Sequence, residues 1–392
     1  MKLRLLFVID SLVCGGAEKS LVSLLPLIDY NRYDVDLLMF SMGGEFERFI
    51  PTQVNVIEHA LYGNGVFDEV RRIIHQVNFS FQVRFGKFCH GAERHWRAMH
   101  KVIKPLDGTY DIAIAYQQGL PTYFVATMVE ASKKIAWINA DVYEAGYDMD
   151  YCRQFYEKMN HIVPVSEALR EKLAKLSPWI KNKLTCIYDI VNQDLIQKLA
   201  KESINDMISK DGEILIVTVG RLAVAKNHLL AVEAARILRD CGVRFKWFFV
   251  GDGGTRDAVE KRIAECDLKE HVILLGLKEN PYPYMARADI YVQTSSFEGF
   301  GLTIAEAKIL HKPIVSTNFD VVYDQIIDGE NGLIAEMTPE SVAESIEKLI
   351  NDRSLRDYLV HNLESESNQT YITEVEKFHS LLGLSLMDRK QN

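Results

Sequence analysis

Cysteine is sparse. Six in 392 residues (Cys14, Cys89, Cys152, Cys186, Cys241, Cys266) lie far apart without a C-x-x-C pair, so neither a disulfide framework nor a zinc site is expected. The histidines His90, His95 and His100 also lack metal-ligand spacing and read as a solvated helix face. No apolar run reaches the roughly 18 residues that a membrane-spanning helix needs. The opening run Leu3–Ile9 ends at Asp10 without a small-residue cleavage pattern, which argues against a signal peptide. A basic surplus is missing too: 45 Lys and Arg stand against 54 Asp and Glu, a net charge of -9, which argues against a general nucleic-acid binder. What is present is an ordinary globular composition, 48% hydrophobic, in a chain long enough for two domains at roughly 100–200 residues each. The expectation is a cytoplasmic enzyme.

Short apolar, β-branched runs alternate with longer amphipathic stretches, the pattern of parallel sheets with crossover helices. Candidate strands are 3–9, 34–40, 54–59, 111–116, 133–139, 161–166 and 184–188 in the first half. The second half offers 213–219, 245–250, 271–275, 289–294, 312–316 and 332–335. Each half thus has enough strands for its own doubly wound sheet. Between them the charged, apolar-poor segment Lys201–Asp206 marks a boundary within 190–212. From Thr338 onward the periodicity is helical to the end.

Residues 71–104 stand apart. Eight bases (Arg71, Arg72, Arg84, Lys87, Arg94, Arg97, Lys101, Lys104) face one acid, Glu93, with Phe79, Phe81, Phe85, Phe88 and Trp96 interleaved. Two readings stand: an anionic membrane surface as partner, or a helical insertion with its aromatics packed inward and its charges solvated.

Three stretches can carry chemistry. After the first strand, Gly15-Gly16 opens a helix, where glycines allow close approach and free N–H groups favour an anion. After the strand 213–219, Gly220-Arg221 with Lys226 puts two cations beyond a strand's carboxyl end, suited to clamping a diphosphate from two sides. After the strand 289–294, Glu298 lies in a glycine-rich loop and Glu306 in the ensuing helix. Between them are the amides of Gly301, Leu302 and Thr303, fit to hold a phosphate while the carboxylates accept sugar hydroxyls. The D-x-D triplets Asp34-Val35-Asp36 and Asp148-Met149-Asp150 read as structural rather than as metal ligands.

These residues, in this order, resemble the retaining GT-B glycosyltransferases, known as group 1 or glycosyltransferase family 4. The resemblance extends to Trp137–Asp141, Val163-Pro164-Val165-Ser166 and Gly251-Asp252-Gly253. It implies an α/β fold of two Rossmann-like doubly wound domains facing across a cleft. Residues 1–192 would bind the acceptor, 193–365 the sugar nucleotide, and 366–392 would form a helix crossing back to the first domain. Arg221 and Lys226 would hold the diphosphate, with Gly16 capping it from the other domain, and Glu306 the ribose hydroxyls. Glu298 would face the donor sugar, with Gly299, Phe300, Gly301, Leu302 and Thr303 along the sugar and distal phosphate. The base would lie near Gly251 and Leu277.

Many relatives carry histidine where this chain has Asn139, so its neutral amide, or the carboxylate of Asp141, would have to serve there. The implied reaction is transfer of a hexosyl or N-acetylhexosaminyl group from a nucleotide-diphosphate sugar, a UDP-sugar favoured, with retention and without metal or cofactor. The acceptor would be a saccharide, lipid-linked if residues 71–104 meet lipid, in capsule, lipopolysaccharide or other cell-surface polysaccharide synthesis. That would make the protein peripheral at the inner face of the plasma membrane. A non-catalytic GT-B partner module, an epimerase and a phosphorylase are the alternatives.

Overall fold

The computed structural model describes residues 2–13, 15–58, 66–85, 90–365 and 369–383. Cys14, Lys87, Phe88 and Cys89, and the side chains of Arg71, Phe81 and Phe85, lie outside the described part. By contacts the chain divides into two compact units, residues 1–190 with 371–392, and residues 191–370.

The apolar runs form two six-stranded parallel sheets, their strands too hydrophobic to leave either face in water. In the first unit β1 (Leu3–Ile9), β2 (Tyr33–Met39), β3 (Val54–Glu58), β4 (Thr109–Ala115), β5 (Glu130–Ile138) and β6 (His161–Pro164) run in the order β3-β2-β1-β4-β5-β6. The second contains β7 (Ile214–Val219), β8 (Phe245–Val250), β9 (Val272–Gly276), β10 (Ile290–Gln293), β11 (Ile314–Thr317) and β12 (Leu333–Ala335), ordered β12-β11-β10-β7-β8-β9. Both orders reverse direction once, between β1 and β4 and between β7 and β10. Loops leaving the carboxyl ends of such a strand pair diverge and leave a crevice, where open α/β sheets bind ligands.

One expected strand does not form. Residues 184–188 make a single bridge, Leu184 to Ile162, with the Thr185 N–H donating to the Ile162 carbonyl at 3.0 Å and Ile187 to Pro164 at 3.2 Å. A continued parallel ladder would need the amide of residue 164 to donate back to Thr185, and proline has none.

The first unit's core includes Trp96, Tyr123 and Phe155, with ring centroids 5.8 Å apart for Trp96–Tyr123 and 4.5 Å for Tyr123–Phe155. The helix Gln369–Leu381 packs on this same unit. Phe378 meets Trp137 edge-on at 6.2 Å, Glu374 accepts from the Tyr188 amide at 2.8 Å, and Lys133 Nζ donates to the Leu381 carbonyl at 2.8 Å. In the second unit Trp247 and Phe249 centre the core, and the Trp247 indole donates to Thr218 Oγ1 at 3.0 Å.

Helices α1 (Gly16–Leu24), α2 (Val66–Phe85) and α3 (Gly91–Met99) belong to the first unit. Of the histidines expected on a solvated face, His95 is exposed, while His90 and His100 are partly covered because Tyr147 and Trp96 lie against their rings. His90 caps α3, its Nδ1 accepting from the Ala92 amide at 3.2 Å, and its ring stacks on Tyr147 at 3.9 Å. His95 stacks on Phe79 of α2 at 4.3 Å and His100 on Trp96 at 6.2 Å.

Candidate functional site

At the carboxyl edge of the second sheet, β7 passes into Gly220 and Arg221 and β8 into Gly251. The two turns touch: a Cβ at Gly251, where φ is +146°, would fall 2.0 Å from the Gly220 carbonyl oxygen. Only glycine fits there. Arg221 is exposed, with no carboxylate paired to it among the described residues. Its fellow cation is engaged: Lys226 Nζ lies 2.5 Å from Glu298 Oε1. That oxygen also accepts from Gln293 Nε2 at 2.8 Å and Ser295 Oγ at 2.6 Å. Two further bonds lace the loops together, the Ser296 amide to the Ala225 carbonyl at 2.7 Å and Thr294 Oγ1 to the Lys226 carbonyl at 3.1 Å.

The glycine-rich loop after β10 ends at Gly301, whose φ of +88° lets it cap the helix Leu302–Ile309. Gln325 holds this turn through its Nε2, which donates to the Phe300 and Gly301 carbonyls. Gly299 and Phe300 are buried beneath the turn, while the first-turn amides through Thr303 sit at the positive end of the helix dipole. One turn on, Glu306 is buried and accepts from the Tyr282 hydroxyl at 3.0 Å. The switch point between β7 and β10 thus gathers Gly220, Arg221, Lys226, Glu298, Gly299 to Thr303 and Glu306 on one edge. Gly251 closes that edge beside β7, and Leu277 lies exposed in the turn after β9, on the far side of β8 from β7.

Sequence reading missed two residues here. Gln293 ends β10 in full burial and bridges the site, its Nε2 on Glu298 while its Oε1 accepts from Tyr291 OH at 2.9 Å and Thr303 Oγ1 at 2.6 Å. Its one sequence signal is an amide closing an otherwise apolar strand. His228, two residues past Lys226, is buried against Phe249, and neither ring nitrogen has a hydrogen-bond partner among the described residues. Burial, and then the Lys226 charge, press its pKa down to about 4.

In the first unit, Gly15 caps α1 and Gly16 opens it. Asn139, directly after β5, is locked by its backbone amide donating to Gln118 Oε1 at 2.9 Å and its Nδ2 to the Tyr116 carbonyl at 2.7 Å. Its buried Oδ1 has no partner among the described residues. Asp141 is already occupied: Oδ1 accepts from the amides of Tyr143 and Glu144, at 2.9 and 3.2 Å, and Oδ2 from Lys172 Nζ at 2.6 Å. Asp10 follows β1, and burial, then the nearby Glu18, raise its carboxyl to about 7. Both D-x-D triplets have protein partners as well. Asp34 pairs with Lys2, Asp36 accepts from Asn55 and Tyr110, and Asp148 caps the helix Met149–Tyr156.

A doubly wound unit with this strand order has known counterparts. Residues 200–365 match the model of the family described as glycosyl transferases group 1. The chain is 30% identical over 204 residues to the N-acetylgalactosamine-N,N'-diacetylbacillosaminyl-diphospho-undecaprenol 4-alpha-N-acetylgalactosaminyltransferase of Campylobacter jejuni, covering 51% of this chain and 53% of that protein. It is 27% identical over 215 residues to the capsular polysaccharide biosynthesis glycosyltransferase CapM of Staphylococcus aureus, covering 51% and 55%. The chain therefore spans about half the length of these curated relatives. Among solved structures, Anabaena HepE in complex with UDP-glucose superposes with a TM-score of 0.74 at 18% identity, over 97% of this chain and 100% of that one. The fold is the two-domain α/β GT-B fold.

Proposed function

We propose that the chain is a retaining glycosyltransferase that moves a hexosyl or N-acetylhexosaminyl group from a nucleotide-diphosphate sugar to a saccharide acceptor. The observation that carries this reading is the β7/β10 switch point: an uncommitted guanidinium, a second cation held by a carboxylate, and a glycine-capped helix start on one sheet edge. Diphosphate departure leaves an oxocarbenium-like sugar, and preorganised positive groups on the leaving group are the main means of stabilising that step. Arg221 and the amides from Gly301 to Thr303 would hold the phosphates. Lys226 would join them as the incoming anion competes for its charge, leaving Glu298 to accept sugar hydroxyls. Glu306, steadied by Tyr282, would take the ribose hydroxyls, and the base would lie toward Gly251 and Leu277.

Unit one would receive the acceptor, with Asn139 Oδ1 accepting from a sugar hydroxyl where a histidine would instead present a ring N–H. A UDP-sugar donor is supported by the UDP-glucose complex of HepE. A lipid-linked acceptor in cell-surface polysaccharide assembly is supported by the names of the bacterial relatives. Because protein cations and amides neutralise the diphosphate in this reading, transfer should persist in EDTA; complete, Mg²⁺-reversible loss would overturn that part. A thermal-shift screen with UDP-, GDP- and ADP-sugars tests the whole: stabilisation by one class, lost in Arg221→Ala, is expected, and a flat response to all three contradicts it.

A further inference from the structure

Helix α2 has two apolar sides. One packs on α3: Phe79 stacks on His95, and Asn78 Nδ2 donates to the Ala98 carbonyl at 3.4 Å. At 100° per residue the other side is formed by Val70, Ile73, Ile74 and Val77, spaced i, i+3, i+4, i+7. These side chains are 50%, 52%, 42% and 63% exposed. Such a row is unusual on a water-facing helix, since an amphipathic helix turns its apolar stripe inward. Arg84, seven residues past Val77, lies on the same side and is exposed, and Lys101 and Lys104 beyond α3 are exposed as well, whereas Arg72 sits on the opposite side of the helix and pairs with Glu69 at 3.1 Å.

We infer that this face of α2 docks on an anionic lipid bilayer, the helix lying in the interface with its stripe among the acyl chains. Charge selects this occupant. Residues 71–104 hold eight basic side chains against one acidic, and the start of α2 adds only Asp68 and Glu69, so the segment stays basic within a chain whose total is -9. An acidic surface would attract this segment and repel much of the rest, which orients the molecule with α2 downward. A second copy of the chain would bring two such basic segments together. The geometry also suits lying rather than crossing: α2 has 20 residues, about 30 Å at 1.5 Å each, and among the described residues no helix is long and apolar enough to span a membrane.

The experiment is co-sedimentation of the full chain with vesicles of phosphatidylcholine alone and of phosphatidylcholine with phosphatidylglycerol, at low and high salt. No sugar donor is present, so the result is independent of the transfer reading. Binding to the anionic vesicles, weakened by salt, is expected. Ile73→Asp with Val77→Asp should lower it on the order of a hundredfold, and Arg84→Glu should lower it too. The inference is overturned by absence of binding to anionic vesicles, by equal binding to neutral ones, or by Arg84→Glu and the double variant binding like wild type. It is equally overturned if sedimentation in lipid-free buffer shows a dimer that the double variant abolishes.

Discussion

Glu298 Oε1 accepts from the Lys226 ammonium, the Gln293 amide and the Ser295 hydroxyl, so its position is determined by three neighbours, one of them from the β7 loop. Lys226→Ala removes the cation from both the carboxylate and the proposed diphosphate. Steady-state kinetics should show kcat reduced by on the order of 10²–10³; a normal rate would refute the role. Gln293→Leu separates positioning from binding. It leaves the Tyr291 and Thr303 hydroxyls without their shared acceptor and Glu298 without one donor. Expected are a stability loss of about 2–3 kcal/mol in urea titration and a fall in kcat larger than any rise in KM. His228 titrates in the opposite sense to a salt-bridged histidine. Its pKa is about 4 in the folded chain against 6.5 when free, so its burial carries no protonation cost above pH 6.5 and stability is lost as pH falls from there toward 4. The full loss is roughly 3 kcal/mol. His228→Leu should flatten that acid limb, measured as the urea midpoint against pH.

Helix α2 is joined to α3 by rings that must stay neutral. Burial, then the neighbouring His95, lower the pKa of His75; burial, then Arg94, lower that of His95. Their centroids are 5.9 Å apart. Depressed values mean that this contact is intact above about pH 6.5 and weakens as protons bind below it. Amide exchange should therefore accelerate along α2 below pH 6 more than along β1 or β4, and His75→Phe should suppress the difference. Element-level features were unevenly legible in the chain. The twelve strands follow from buried β-branched runs, and the one failure, 184–188, turns on a single missing N–H at Pro164. The aromatic and basic pattern of 71–104 announced amphipathic helices, yet periodicity cannot say which of two apolar sides a neighbour will cover.

At the scale of the whole molecule the two units carry buried acids and bases of opposite pH response. In the second unit, neutral His228 favours high pH. In the first, burial raises Asp189 to about 7 with Ser20 as its hydrogen-bond partner, and Asp10 likewise rises to about 7. A raised carboxyl favours the fold below its free value of 3.8, and that contribution disappears as pH rises through 7. Asp189→Asn should thus be more stable than wild type at pH 8 and close to it at pH 4, read as thermal midpoints of the full chain; a difference that does not change with pH would refute the assignment.

Length, strand periodicity and the spacing of Arg221, Lys226, Glu298 and Glu306 are local properties of a chain. They suffice for the α/β class and for a candidate anion site, because strand burial and helix-start chemistry depend on near neighbours. Contacts between distant residues decided the rest: that Lys226 is bound to Glu298 while Arg221 stays open, that Ser296 and Thr294 lace the β10 loop to the β7 loop, that His228 is dry, and that α2 leaves Val70, Ile73, Ile74 and Val77 in water. The same side chain can be partnered or bare according to which strand ends the topology brings together, and the β7/β10 reversal is set by the order of the entire sheet.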